Sequence, residues 1–184
     1  MFANALPLAL LVGAAMASPA KSSTAAIAPG DAFGIIAIHS GTDIHFASLE
    51  AADLSFFLNP PSENTCGTFT LAEDGSLDLY RTTGPVQKAY VDRSQFGHGK
   101  FGYTIGGTPP PRDAERTEFI IDESGHITFN GESFLACRNG TDISWSVWVD
   151  VGGPNPDGYE TCLAFVGRTI EIENPDPTNC NWTP

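Results

Sequence analysis

The chain has 184 residues, with 22 acidic against 9 basic side chains and a formal net charge of −13. A surface this negative repels phosphate backbones and anionic bilayers, which need Lys and Arg in excess, so nucleic-acid and membrane partners are excluded. Its hydrophobic content of 41% is enough to build one packed core.

At the N-terminus, Leu6 to Met16 forms an apolar run, and Ala15-Met16-Ala17 supplies the small residues a signal peptidase requires. The run is too short for a transmembrane helix and is broken by Pro7 and Gly13. Residues 1–17 are therefore read as a signal peptide, although Met1-Phe2-Ala3-Asn4 contributes no Lys or Arg. The Ala/Ser/Pro-rich stretch 18–31 carries no period and reads as a disordered spacer. Residues 32–184 form one domain. No later segment is long and apolar enough to span a bilayer, and Asn179 to Pro184 lacks the hydrophobic tail of a lipid-anchor signal.

Short apolar runs cut by Gly, Asn, Asp and Pro dominate the rest, the pattern of an all-β protein. Only Ala47 to Leu54 could make two helical turns. One unit recurs three times. Phe33–Ile38 passes through Ser40-Gly41 into Ile44-His45-Phe46, Phe69–Leu71 through Asp74-Gly75 into Leu77–Tyr80, and Phe119–Ile121 through Ser124-Gly125 into Ile127–Phe129. Each is a strand, a glycine turn and a strand with one buried face. Further strands are expected at 55–58, 88–92, 101–105, 133–136, 145–149 and 163–167. About twelve strands in three pseudo-repeats predict a β-trefoil-like fold, with a two-sheet β-sandwich as the alternative.

In an exported protein, Cys66, Cys137, Cys162 and Cys180 are disulfide candidates, spaced too widely for a zinc site. Three connectivities are open. Cys137–Cys162 with Cys66–Cys180 is preferred, the first bond closing the loop between two late strands. Asn139-Gly140-Thr141 is a glycosylation sequon in a turn-like setting, whereas Asn181-Trp182-Thr183 is a poor one beside a proline and the chain end.

Candidate chemistry is sparse. His39, Asp43 and His45 flank the first turn, yet lack a third imidazole for a metal site, so no metal and no cofactor is expected. Residues 91–103 are the densest cluster of functional groups. They lack a nucleophile elbow and a phosphate loop, and they read as a tight glycine-rich connection fixed by an Asp92–Arg93 pair. Glu115, Glu118, Asp122 and Glu123 cluster, but nothing in the sequence separates a catalytic carboxyl from a solvated one. In Trp145-Ser146-Val147-Trp148 the two indoles lie three apart on a strand and so on opposite faces. One can therefore be exposed as a stacking platform for a sugar ring, with Tyr159 and Trp182 as weaker candidates. The other reading packs one indole in the core and the second under a loop.

Several collinear runs resemble one family. They are Phe33 to Gly41, Val91 to Ser94 with Gly99 to Thr104, Phe134 to Cys137, and Trp145 to Trp148 followed by Asn155-Pro156. In order and spacing, over about Phe33 to Cys180, they resemble the fungal PhiA-type cell wall proteins. The resemblance implies a secreted, wall-associated protein with a role in phialide and conidium formation and in stress protection. It implies no catalytic residues. The expectation is a non-enzymatic protein whose partners are wall polysaccharide or wall proteins. A lectin-like module is the alternative, and a secreted hydrolase is less favoured.

Overall fold

The computed structural model describes residues 27–178 together with Met1 and Cys180. The expected signal peptide, the first part of the spacer, the second sequon and Trp182 lie outside the described residues. Residues 27–31 are fastened to the protein. Ile27 packs against the core, Gly30 N donates to the Leu71 carbonyl at 2.9 Å, and Ala28 N donates to the Asp31 carboxylate at 2.9 Å. These five residues belong to the folded body rather than to a spacer, because the apolar Ile27 side chain finds a core to bury against.

The described chain is all-β. Its strands are β1 (Ala32–Ile38), β2 (Leu49–Ala52), β3 (Ser55–Leu58), β4 (Phe69–Leu71), β5 (Leu77–Leu79), β6 (Gln87–Asp92), β7 (Lys100–Ile105), β8 (Ala114–Glu115), β9 (Phe119–Ile121), β10 (His126–Phe129), β11 (Phe134–Arg138), β12 (Trp145–Val149) and β13 (Thr161–Glu171). One short 3-10 turn, Pro156–Gly158, is the sole helical element among the described residues.

Nine strands close into a barrel-like ring in the order β1-β4-β5-β6-β7-β3-β12-β11-β13, sealed by the pairing of β13 with β1. That seam is long: six register pairs run from Phe33↔Glu171 to Ile38↔Val166. The 11-residue β13 also pairs with β11 through its first half and with β10 further on. The pairing makes neither the three-fold set of a trefoil nor the two sheets of a sandwich. The first of the three expected hairpins lacks its second strand. Ile44-His45-Phe46 is a run of turns in which Ile44 is buried as a plug. The would-be helix from Ala47 to Leu54 is instead β2 and its turn, since Leu49 and Ala51 bury alternately against the core.

The interior is filled by aromatic rings from successive strands. Phe56 stacks on Phe101 at 4.0 Å, and Phe101 leads to Phe134 at 5.6 Å and on to Phe165 at 5.6 Å. On another side Phe101 meets Phe119 at 5.7 Å, which meets Phe129 edge-on at 4.8 Å. Each such pair contributes about 0.5–1.5 kcal/mol beyond its buried area. Cys137 bonds to Cys162, its register partner across β11 and β13, on the outer wall. Cys66 bonds to Cys180 and ties the C-terminal segment to the body.

Candidate functional site on the outer wall

Along β12 the alternation sends Trp145, Val147 and Val149 inward and Ser146 and Trp148 outward. Trp145 is 1% exposed. The Arg138 guanidinium lies 3.9 Å from its ring centre, held by Asp43 at 2.9 Å and the Asp142 carbonyl at 3.1 Å. Trp148 points outward and is nonetheless only 5% exposed. Lys100 Nζ sits 4.8 Å over its ring, Tyr159 meets it edge-on at 6.1 Å, and its Nε1–H donates to Ser146 Oγ at 3.1 Å. Neither tryptophan presents a free face to a sugar, which corrects the expectation for Trp145 and Trp148. The structure follows the other reading, one ring in the core and one under a loop.

That loop is a strap, residues 151–160, laid across the outside of the barrel. Asn155 Nδ2 donates to the Tyr159 carbonyl at 2.9 Å, Glu160 N donates to Asn139 Oδ1 at 3.1 Å, and Gly140 N donates to Glu160 Oε2 at 2.9 Å. Burial under the strap pushes the Lys100 ammonium below its usual pKa, partly offset by the nearby Asp157 carboxylate.

Beside the strap lies an open depression of about 510 Å³. Phe57, Pro61, Ile143, Ser146, Tyr159 and the Cys137 side of the disulfide line it. Tyr159 is half-buried and Ile143 is 79% exposed. Phe57 lies on the outer side of β3, whose alternation could have revealed it; Pro61 and Ile143 carry no periodic signal. Asn139 is exposed in the turn that anchors the strap.

The other candidate groups are engaged in structure. His39 Nδ1 donates to the Ala164 carbonyl at 2.6 Å, His45 Nδ1 accepts from His39 N at 3.2 Å, and Asp43 holds Arg138. Among the described residues no group of three or more His, Cys, Asp or Glu is placed to hold a metal. Arg93 pairs with Glu115 through two bonds, at 3.0 and 2.6 Å, and not with Asp92. Arg93 follows the last residue of β6, and the pairing of β8 with β6 at Val91↔Glu115 brings the Glu115 carboxylate within its reach. Asp92 accepts from Ser94 N at 3.0 Å, and Ser94 Oγ accepts from Gly97 N at 3.0 Å, so these groups shape the loop backbone. Asp122 accepts from His126 N and, with less effect, from Ser124 N, which hold its carboxyl below the usual carboxylate range.

The model of the PhiA-like secreted protein family matches residues 33–183. The chain belongs to that family. Among curated relatives, the cell wall protein phiA of Aspergillus fumigatus is 39% identical over 179 residues, covering 92% of this chain and 95% of the relative. Its counterpart in Emericella nidulans is 40% identical over 171 residues, covering 88% and 93%. That of Aspergillus niger is 38% identical over 181 residues, covering 94% and 96%. No solved structure matches the chain significantly. As a PhiA-like protein the chain is a secreted protein of the fungal cell wall. No helix among the described residues is long and apolar enough to cross a membrane.

Proposed function

We propose that this PhiA-like protein is a non-enzymatic component of the wall that acts in phialide and conidium formation and in stress protection. Residues 1–17 direct its export, Asn139 carries a glycan, and wall polysaccharide or other wall proteins retain it. The observation that carries this reading is the combination of family membership with a barrel interior filled by rings. Such an interior leaves ligand contacts to the outer surface. Deleting the gene in the producing fungus should lower conidium yield and survival of wall stress, with recovery on re-expression of the full chain. Normal conidiation and stress survival in the deletion strain would overturn the developmental reading.

A second reading, a lectin-like mode of retention, is favoured by the depression beside Tyr159. Its apolar walls, with Ser146 and Asp142 among the polar lining groups, suit a sugar ring, which is apolar on one face and hydroxylated at its rim. Replacing Tyr159 by Ala should weaken retention on wall polymers while leaving the protein folded. Undiminished retention would remove this surface from the account.

A further inference from the structure

The β6–β7 connection, residues 93–99, is rigid and yet presents an uncovered ring. Gly99 N donates to the Asp92 carbonyl at 2.8 Å, His98 N and Gly97 N both donate to the Ser94 carbonyl, and Lys100 N donates to the Gly97 carbonyl at 2.8 Å. A Cβ on Gly97 would collide with the Asp92 carboxyl. One on Gly99, where φ is +85°, would collide with the Val149 carbonyl. So tight a backbone leaves the loop little freedom, and at its tip Phe96 is 94% exposed. A bare phenylalanine adds nothing to folding, because its apolar surface stays in water. Held on a fixed loop, it has lost in advance much of the motion that binding would otherwise quench.

Around it opens a depression of about 470 Å³, lined by Arg93, Gln95, Phe96, His98, Val151 and Pro154. The Arg93 charge is already matched by Glu115, so the free chemistry at the rim is an amide, an imidazole and an aromatic face. Polyanions are repelled by the net charge of −13. A second copy or a lipid surface would need a broad apolar patch, and here only Val151 and Pro154 flank the ring. A neutral sugar fits: its C–H face lies against an aromatic ring, and its hydroxyls accept from and donate to amide and imidazole groups.

We propose that this loop is a saccharide-binding site, in which Phe96 stacks on a neutral hexopyranose unit of a wall polymer while Gln95 and His98 bond its hydroxyls. The inference rests on the reading that the protein is retained by wall polysaccharide, and it places a contact surface apart from the Tyr159 depression. The test is binding of soluble β-1,3-glucan, chitin and mannan oligosaccharides to the secreted full-length protein and to Phe96→Ala, Phe96→Trp, His98→Ala and Tyr159→Ala. Phe96→Ala should leave the melting temperature unchanged and weaken binding about tenfold. Phe96→Trp should preserve or tighten it, and His98→Ala should weaken it by a smaller factor. Unchanged affinity in Phe96→Ala with loss in Tyr159→Ala would overturn this site and leave polysaccharide retention standing. Absence of binding by the unaltered protein would overturn both. A concentration-dependent dimer abolished by Phe96→Ala would overturn the sugar in favour of a second copy.

Discussion

Replacing Trp148 by Ala should release the strap. The ring is nearly inaccessible, and complete truncation of a buried Trp costs about 3–5 kcal/mol. Trp148 lies under a loop rather than in the close-packed interior, which sets the expected loss near the lower bound, about 3 kcal/mol. The edge-on contact with Tyr159 accounts for about 1 kcal/mol of it. The Lys100 ammonium over the ring adds little on balance. Its cation–π attraction, about 1 kcal/mol, is opposed by the burial that lowers its pKa, so Lys100→Met should be close to neutral. Urea unfolding followed by far-UV circular dichroism on wild type, Trp148→Ala, Tyr159→Ala and the double variant gives a cycle free of indole fluorescence. The expected coupling between the two positions is about 1 kcal/mol, accompanied by faster protease cleavage near Gly152-Gly153 in Trp148→Ala. A Trp148→Ala variant within about 0.5 kcal/mol of wild type, or a coupling near zero, would refute the view that the strap rests on this ring.

Cys66 and Cys180 are 114 residues apart and Cys137 and Cys162 are 25 apart. The chain-entropy relation therefore predicts losses of about 5 and about 3.5 kcal/mol for the respective double alanine variants, in that order by guanidinium unfolding. Asp78 is raised above its ordinary pKa, chiefly by burial, with Lys88 at 3.8 Å as a partial offset. A raised carboxyl pKa stabilises the fold below about pH 4 and loses that contribution as pH rises through the folded-state pKa. Asp78→Asn should accordingly match wild type in acid and exceed it at pH 7; equal stability at both would contradict the burial argument. Gly99→Ala should destabilise by about 3 kcal/mol, because it joins a left-handed backbone to a collision with the Val149 carbonyl, and a thermal melt indistinguishable from wild type would disprove this.

Local alternation made much of the fold legible. The 145–149 strand has the bounds expected of it, and the hairpins Phe69–Leu71/Leu77–Leu79 and Phe119–Ile121/His126–Phe129 carry their burial pattern in the sequence. What the sequence hides is long-range. The seam between β1 and β13 joins residues more than a hundred positions apart and leaves no local mark, so ring closure could not be told from a trefoil or a sandwich. Ile44-His45-Phe46 alternates like a strand and yet serves as a plug, because a single buried side chain satisfies the core without a ladder. At the candidate site, alternation put Trp145 and Trp148 on opposite faces but could not show which one turns outward or that a strap arrives over it. An Asp92–Arg93 pair is the local expectation, whereas the partner of Arg93 is Glu115, from a strand 22 residues away. Phe96 was in plain view within the 91–103 cluster, but nothing in the sequence distinguishes an exposed ring from a buried one.

The proposal that the outer surface holds the protein on wall polysaccharide is tested most directly by depletion of the secreted protein on insoluble chitin, β-1,3-glucan and mannan at low and high salt. The account predicts retention on at least one polymer that survives high salt, since stacking and neutral hydrogen bonds are not screened. Retention that vanishes in high salt, or none on any of the three polymers, would contradict it.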